Sequence, residues 1–237
     1  IATQKRFLAD AAHQLKTPLA GLRMQADLAQ RSGASEDELK RSLQQIGRAS
    51  VQATHTVNQL LALARAEGGG ASLPQQQCNM VSIASEVLLD CFPRAADKGI
   101  DLGYDGAEAD APGVTVKGNP TLLKEMVRNL VENAIHYTPS TPERPGVVTL
   151  RVLVDPYSRV LVLQVEDNGP GIAPTERELV FQPFYRALGT NVDGSGLGLP
   201  IVREIAQRHG AAVAVDAAHP GQTPPGACFT VRFGLPD

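Results

Sequence analysis

The 237-residue chain contains no tryptophan, and its four tyrosines and six phenylalanines leave aromatics at only 4%. Too few ring faces remain to build a stacking platform for single-stranded nucleic acid. A basic excess is also missing. The 22 Lys and Arg against 25 Asp and Glu leave a formal net charge of −3, which removes the electrostatic reason to expect nucleic acid or an anionic membrane as a direct partner. Cysteine is sparse: Cys78, Cys91 and Cys228 are odd in number and scattered, without disulfide-framework or metal-ligand spacing. Reduced thiols in a cytoplasmic setting are expected. No uninterrupted apolar run approaches the roughly 20 residues that cross a bilayer, and no signal-peptide pattern is present. The chain opens abruptly in helix-like sequence at Ile1, as a fragment does, so a preceding region is expected. With 43% apolar and 20% charged residues, it has a globular composition and length for two modest domains.

What is present begins with a seam. Leu8, Ala12, Leu15, Leu19, Leu22, Ala26 and Ala29 recur at steps of four and three, the pattern of a coiled-coil-like helix. His13 lies just off this stripe. Five residues on, Pro18 cannot donate a backbone hydrogen bond and its ring crowds the carbonyl of residue 14, so a kink is expected beside His13. An exposed imidazole on a rigid rod at such a point has the look of a reactive group. A second seam runs through Leu39, Leu43, Ile46, Ser50, Ala53, Val57, Leu60 and Ala64, preceded by Ser35 as N-cap with Glu38 completing a capping box. Two helices joined by a short turn make an antiparallel hairpin. A lone hairpin cannot bury both narrow seams, so two should pair as a four-helix bundle in a homodimer.

Glu67-Gly-Gly-Gly70 ends the helix as a flexible link. Three segments are expected: a helical hairpin over 1–67, a linker over 68–73 and a mixed domain over 74–237. In the last, Val81 to Lys98 reads as a helix, and Asp101 to Tyr104 and Val114 to Lys117 as short strands. Asn119-Pro120 caps a strong helix reaching about Tyr137. Val147 to Val154 and Val160 to Val165 are strands around the Asp155-Pro156 turn. A helix from about Leu197 to His209 and strands at Ala211 to Val215 and Cys228 to Phe233 close the chain. The class is α+β: the hairpin, then an α/β sandwich with helices on one face of a sheet.

Three pieces of this second domain carry chemistry. On the capped helix, Leu123, Val127, Leu130 and Ala134 form one face, while Asn129, Asn133, His136 and Tyr137 fall together on another. Two amides one turn apart can serve a hydrated Mg²⁺, which asks the protein for few ligands. Next, Val165-Glu-Asp167-Asn-Gly169-Pro-Gly171 places a carboxylate at the end of a buried strand before a glycine turn, where it can accept from a base amine while backbone lies close to the ring. Third, Asp193-Gly194-Ser-Gly196-Leu197-Gly198 runs into a helix, exposing amides to an anion. It is neither a P-loop nor a dinucleotide fingerprint. The roughly 20 residues between Ile172 and Gly194 are of the length and irregularity found in lids.

Taken together and in order, these pieces closely resemble the sensor histidine kinases of two-component systems. His13-Gln-Leu-Lys-Thr-Pro18 looks like the phosphoacceptor motif, Asn129 to Asn133 the asparagine motif, Asp167 to Gly171 the first glycine motif, Phe181 to Tyr185 the phenylalanine motif, and Gly194 to Gly198 the second glycine motif. The resemblance implies a dimerisation and phosphotransfer hairpin followed by an ATP-binding domain of the fold shared with Hsp90, gyrase and MutL. It also implies the cytoplasmic end of a bacterial inner-membrane receptor, anchored through segments not in this chain.

By resemblance, Asp167, bordered by Gly169 and Gly171, reads the adenine amine, and Tyr137 packs near the base. Asn133 binds Mg²⁺, Asn129 supports the metal or a phosphate, and His136 stands near the phosphates where a lysine is common. The amides of Gly194, Gly196, Leu197 and Gly198 hold the phosphate tail of ATP, and Arg186 stabilises the γ-phosphoryl. His13 then takes the phosphoryl and passes it to an aspartate on the receiver domain of a response regulator. Thr17 matches the position that helps regulator dephosphorylation. The main departure is Gln14, where an acidic residue usually follows the phosphoacceptor. A glutamine oxygen can orient the imidazole but cannot remove its proton. Two alternatives follow: a weakly active or phosphatase-dominant receptor, or a non-kinase ATPase of the same fold.

Overall fold

A computed structural model of the chain describes residues 19–30, 35–67, 74–155, 157, 159–186 and 196–234. His13, Gln14, Thr17, Pro18, the Gly68–Gly70 link and Gly194 lie outside the described residues. The chain divides into two compact units, Ile1–Ala64 and Arg65–Asp237, and each is described by itself.

In the first unit, α1 is described over 19–29 and α2 spans Glu36–Glu67. The capping box forms. Glu38 Oε2 accepts from Ser35 N at 2.8 Å and from Ser35 Oγ at 2.9 Å, and Glu38 N donates to Ser35 Oγ at 3.3 Å. Glu36, Asp37 and Glu38 place negative charge in the first turn, where the helix dipole favours it. None of the described seam residues is buried: Leu19, Leu43 and Val57 are exposed, and Leu22, Ala26, Leu39 and Ile46 only half-buried.

The second unit contains β1 (Gln76–Asn79), α3 (Met80–Asp97), β2 (Ile100–Gly106), β3 (Thr115–Gly118), α4 (Pro120–Tyr137), β4 (Gly146–Asp155), β5 (Val160–Asp167), two 3₁₀ turns at Pro174–Glu176 and Leu179–Phe181, α5 (Gly198–Arg208), β6 (Ala211–Asp216) and β7 (Ala227–Gly234). A five-stranded sheet runs β2-β4-β5-β7-β6, and β1 pairs with β3 in a small ribbon. The β2–β4 pair is parallel and its other neighbours antiparallel.

Strand alternation decides which face meets the helices. Val148, Leu150 and Val152 on β4, Leu161, Leu163 and Val165 on β5, and Phe229, Val231 and Phe233 on β7 are buried. The intervening Thr149, Arg151, Gln164, Glu166 and Thr230 are half-buried on the other face. There Arg151 pairs with Asp105 at 3.0 Å and Glu166 at 2.6 Å. From the inner side α3, α4 and α5 close the core with Met80, Val87, Leu123, Leu130, Ile201 and Ile205. The molecule thus has helices followed by a mixed sheet covered on one face, the expected α+β class. The three cysteines are free.

α4 is fixed at both ends. Asn119 Oδ1 accepts from Leu122 N at 3.0 Å, with Pro120 in the first turn where its missing N–H costs nothing. At the other end Lys98 Nζ donates to Ile135 O at 2.7 Å and His136 O at 2.6 Å, a cation on the last carbonyls, where the dipole is negative.

Candidate functional site

Four of the expected residues ride on the C-terminal half of α4. Asn133 is half-buried. His136 and Tyr137 are half-buried, and their rings meet edge to face with centroids 5.0 Å apart. Asn129 lies deeper than Asn133. It is 5% exposed, and its Nδ2 donates to Glu125 O at 2.9 Å and Glu125 Oε1 at 3.1 Å. Its amide is turned back along its own helix, because position 129 sits closer to the core face than 133 does.

Asp167 ends β5 as a charged residue only 6% exposed. Its Oδ1 accepts from Gly169 N at 2.9 Å and Ala227 N at 3.3 Å. Burial pushes its carboxyl up to about 6. The two N–H donors pull the other way, and Glu166 and His219 add smaller opposed contributions. A carboxylate can only accept when ionised, so this one selects a donor. Gly169 is required beside it: a Cβ there would lie 2.9 Å from Asp167 Oδ1 and 3.3 Å from Thr138 Oγ1. The bare backbone leaves Asp167 approachable by a flat ring. Gly171 continues the turn with φ +75°.

The third motif is described from residue 196 on. Gly196, at φ +69°, accepts from Phe184 N at 2.9 Å, and a Cβ there would meet the Phe184 backbone at 2.8 Å. Leu197 is fully buried: its side chain belongs to the core, so only its backbone can face a ligand. α5 begins at Gly198 with no side-chain cap, which leaves its first N–H groups to other acceptors. In the preceding segment Phe181 is buried edge-on against Phe229, and the Arg203 guanidinium lies 4.4 Å from its ring centroid. Tyr185 OH donates to Glu176 Oε1 at 2.9 Å. Arg186 is exposed.

This set fits an adenine nucleotide: a buried acceptor beside bare backbone for a base amine, and an uncapped glycine-led helix start for phosphates. No group of three or more His, Cys, Asp or Glu able to hold a metal occurs among the described residues. The half-buried amide of Asn133 suits a Mg²⁺ held chiefly by phosphates and water.

Residues 118–237 match the family model of histidine kinase-, DNA gyrase B- and HSP90-like ATPases. Residues 3–69, which include His13, match the His Kinase A phospho-acceptor domain. The chain belongs to the sensor histidine kinase family. Among curated relatives it is 38% identical over 210 residues to the sensor protein kinase PmrB of Pseudomonas aeruginosa, covering 88% of this chain and 42% of that protein. It is 34% identical over 241 residues to the signal transduction histidine-protein kinase/phosphatase MprB of Mycolicibacterium smegmatis, covering 98% and 46%. The chain therefore spans less than half the length of these relatives. Among solved structures, the mycobacterial sensor histidine kinase MprB superposes with TM-score 0.57 at 31% identity, over 69% of this chain and all of that one. The histidine kinase ThkA, solved with the response regulator TrrA, gives 0.73 at 19% identity over 98% and 61%, a likeness of fold.

Two features of the site were not anticipated from sequence. Lys98 gives no sequence signal, since its partners are carbonyls 37 and 38 residues away. Thr138, at the end of α4, is wholly buried; its place directly after Tyr137 was the only hint.

Proposed function

We propose that this chain binds ATP with Mg²⁺, phosphorylates itself on His13 and passes the phosphoryl group to an aspartate on the receiver domain of a response regulator. The observation that carries the reading is the buried Asp167 carboxylate beside bare Gly169, in a chain that also bears a phospho-acceptor segment with His13. Asp167 accepts the 6-amino group of adenine, and Tyr137 flanks the base. Asn133 would hold the Mg²⁺, and Asn129 would support the metal or a phosphate. Magnesium supplies charge neutralisation on the phosphates. The amides of Gly194, Gly196, Leu197 and Gly198 cradle the phosphate tail, His136 stands near it, and Arg186 meets the transferred group.

The transfer needs positioning more than covalent help. A neutral His13 nitrogen forms the N–P bond as the bond from the γ-phosphorus to ADP oxygen breaks. The proton on the imidazole must then leave. Gln14 can accept a hydrogen bond but no proton, so the proton passes to solvent. Autophosphorylation is accordingly slow for the family, and Thr17 gives the chain a regulator-dephosphorylating side. The exposed seam of α1 and α2 supports a homodimer. The whole protein is read as a membrane-anchored receptor of which this is the cytoplasmic portion.

The test is to incubate the chain with Mg²⁺ and γ-labelled ATP. Acid-labile, base-stable protein label that disappears in His13→Gln is the expected result. ADP release without protein label would instead make the chain a non-kinase ATPase.

A further inference from the structure

Two polar groups of the base site are each short of a partner, and they lie on the same side of one glycine. The Thr138 hydroxyl is wholly buried, yet its Oγ1 has no hydrogen-bond partner. The residue closes α4 with its N–H on Ala134 O at 3.0 Å, so helix and core fix its position. Asp167, itself 6% exposed, accepts from two N–H donors among the described residues, and the one from Ala227 is long at 3.3 Å. A buried ionised carboxylate has room for about four such bonds and is costly when left short. The point a Cβ of Gly169 would occupy is 2.9 Å from Asp167 Oδ1 and 3.3 Å from Thr138 Oγ1. The two oxygens therefore lie no more than about 6 Å apart beside the missing side chain, a gap that a small closure or one bridging water spans.

We propose that Thr138 is the positioning residue of the base site: its hydroxyl donates to Asp167, directly or through one water, and holds that carboxylate ionised and aimed when a 6-aminopurine arrives. The inference rests on Asp167 being the partner of the base. It gives the otherwise orphaned hydroxyl a function and explains why no side chain fits at 169: a Cβ would crowd donor and acceptor alike. A threonine hydroxyl can rotate to give its proton to the carboxylate, a valine of the same shape cannot, and a serine can.

The other charged and titratable groups around Asp167 are Glu166 on its own strand, which raises its pKa, and His219 from the β6–β7 loop, which lowers it. His136 and Tyr137 on α4 adjoin Thr138 in sequence. All four are unchanged in the variants below, so a displacement of the Asp167 titration reports on residue 138.

The experiment follows the Asp167 carboxyl by carbon NMR from pH 4.5 to 8.5 in the nucleotide-free chain, and ATP affinity over the same range. Thr138→Val should raise the Asp167 midpoint by roughly one pH unit, the size expected for a lost hydrogen bond to the charged form. ATP affinity should then fall about fivefold at pH 6 and recover by pH 8.5. Thr138→Ser should track the wild type. Thr138→Ala repeats the test should the valine variant not fold. An unchanged midpoint, or equal weakening of ATP at every pH, overturns the assignment. Asp167→Asn serves as the separate control: if it binds ATP as the wild type does, the base assignment fails, while the nucleotide-free titration still decides the role of Thr138.

Discussion

Leu130 on α4 and Leu43 on α2 occupy equivalent places in the same four-and-three apolar spacing, yet Leu130 is 0% exposed and Leu43 64%. The sequence pattern states that a helix face must be covered; it does not state by what. For α4 the cover lies within the chain, because strands of alternating valine and leucine follow it and fold beneath it. The first unit has no strand among its described residues. Among its described apolar residues Leu19, Met24, Leu28, Leu43 and Val57 remain exposed, and Leu22, Leu39 and Ile46 are only half-buried. The difference teaches that the second unit covers its own helix faces, whereas the described apolar seam of the first is left open, which is the physical basis of the proposed dimer.

The largest effect that can break this contrast is expected from Leu43→Asp. Burying a leucine contributes roughly 2 kcal/mol, and a dimer would lose two while gaining two buried charges. Dimer affinity should fall at least about a thousandfold, read by sedentation-free means such as light scattering across a dilution series. If Leu43→Asp leaves the molecular mass unchanged, the exposed seam is ordinary surface and the contrast with α4 carries no meaning for assembly.

A smaller effect is expected from Asp167→Asn, which asks whether the second unit gives up stability for its site. The carboxyl lies at about 6 in the folded chain, above its ordinary 3.8, chiefly because of burial. Between those values the folded state binds more protons than the unfolded one, so stability is greatest below about pH 4. It declines as pH rises toward 6 and stays reduced above that. The full shift corresponds to at most roughly 3 kcal/mol. Asn keeps the oxygen that accepts from Gly169 and Ala227 but loses the charge. The variant should therefore be more stable than wild type by about 1–2 kcal/mol at pH 7.5 while binding ATP about 10–100-fold more weakly. Thermal melts at pH 4.5 and 7.5 check this: the gain should shrink to about a third at the lower pH. A variant less stable at both would mean the carboxylate holds the fold rather than straining it.

The same contrast sorts what was legible in the sequence. The capping box at Ser35 and Glu38, the Asn119-Pro120 start of α4 and the alternating strands could be read because each depends on neighbours a few residues apart. β1, at Gln76–Asn79, could not: its residues are polar, and it exists through its antiparallel register with β3 some 40 residues on. The parallel β2–β4 pairing was hidden for the same reason. In the site, the motif residues Asn133, His136, Tyr137, Asp167 and Gly169 were visible as residue types at fixed spacing. Spacing alone did not reveal that Asn129 turns inward to Glu125 or that Leu197 is core, since both depend on a few degrees of helix rotation against the sheet. Thr138 and Lys98 escaped because their partners are brought to them only by tertiary folding.

The smallest expected effect, and the sharpest on independence of the two units, comes from Ser35→Ala. Ser35 Oγ both accepts from Glu38 N and donates to Glu38 Oε2, and α2 has no other side-chain cap recorded among the described residues. Losing such a cap costs about 1 kcal/mol. The hydrogen bonds from Ser35 hold the Glu38 carboxyl below its usual range, so the carboxylate's share of the cap is present at neutral pH and lost in acid as Glu38 takes a proton; the difference between variant and wild type should narrow there, leaving the share of the Glu38 N–H bond to Ser35 Oγ. Because the cap belongs wholly to the first unit, Ser35→Ala should lower the helical unit's melting temperature at pH 7 and leave ATP affinity unchanged. Should ATP binding weaken as well, stability would be shared between the units, and the exposed seam of α1 and α2 could no longer be treated as a problem that the first unit must solve with a second copy of itself.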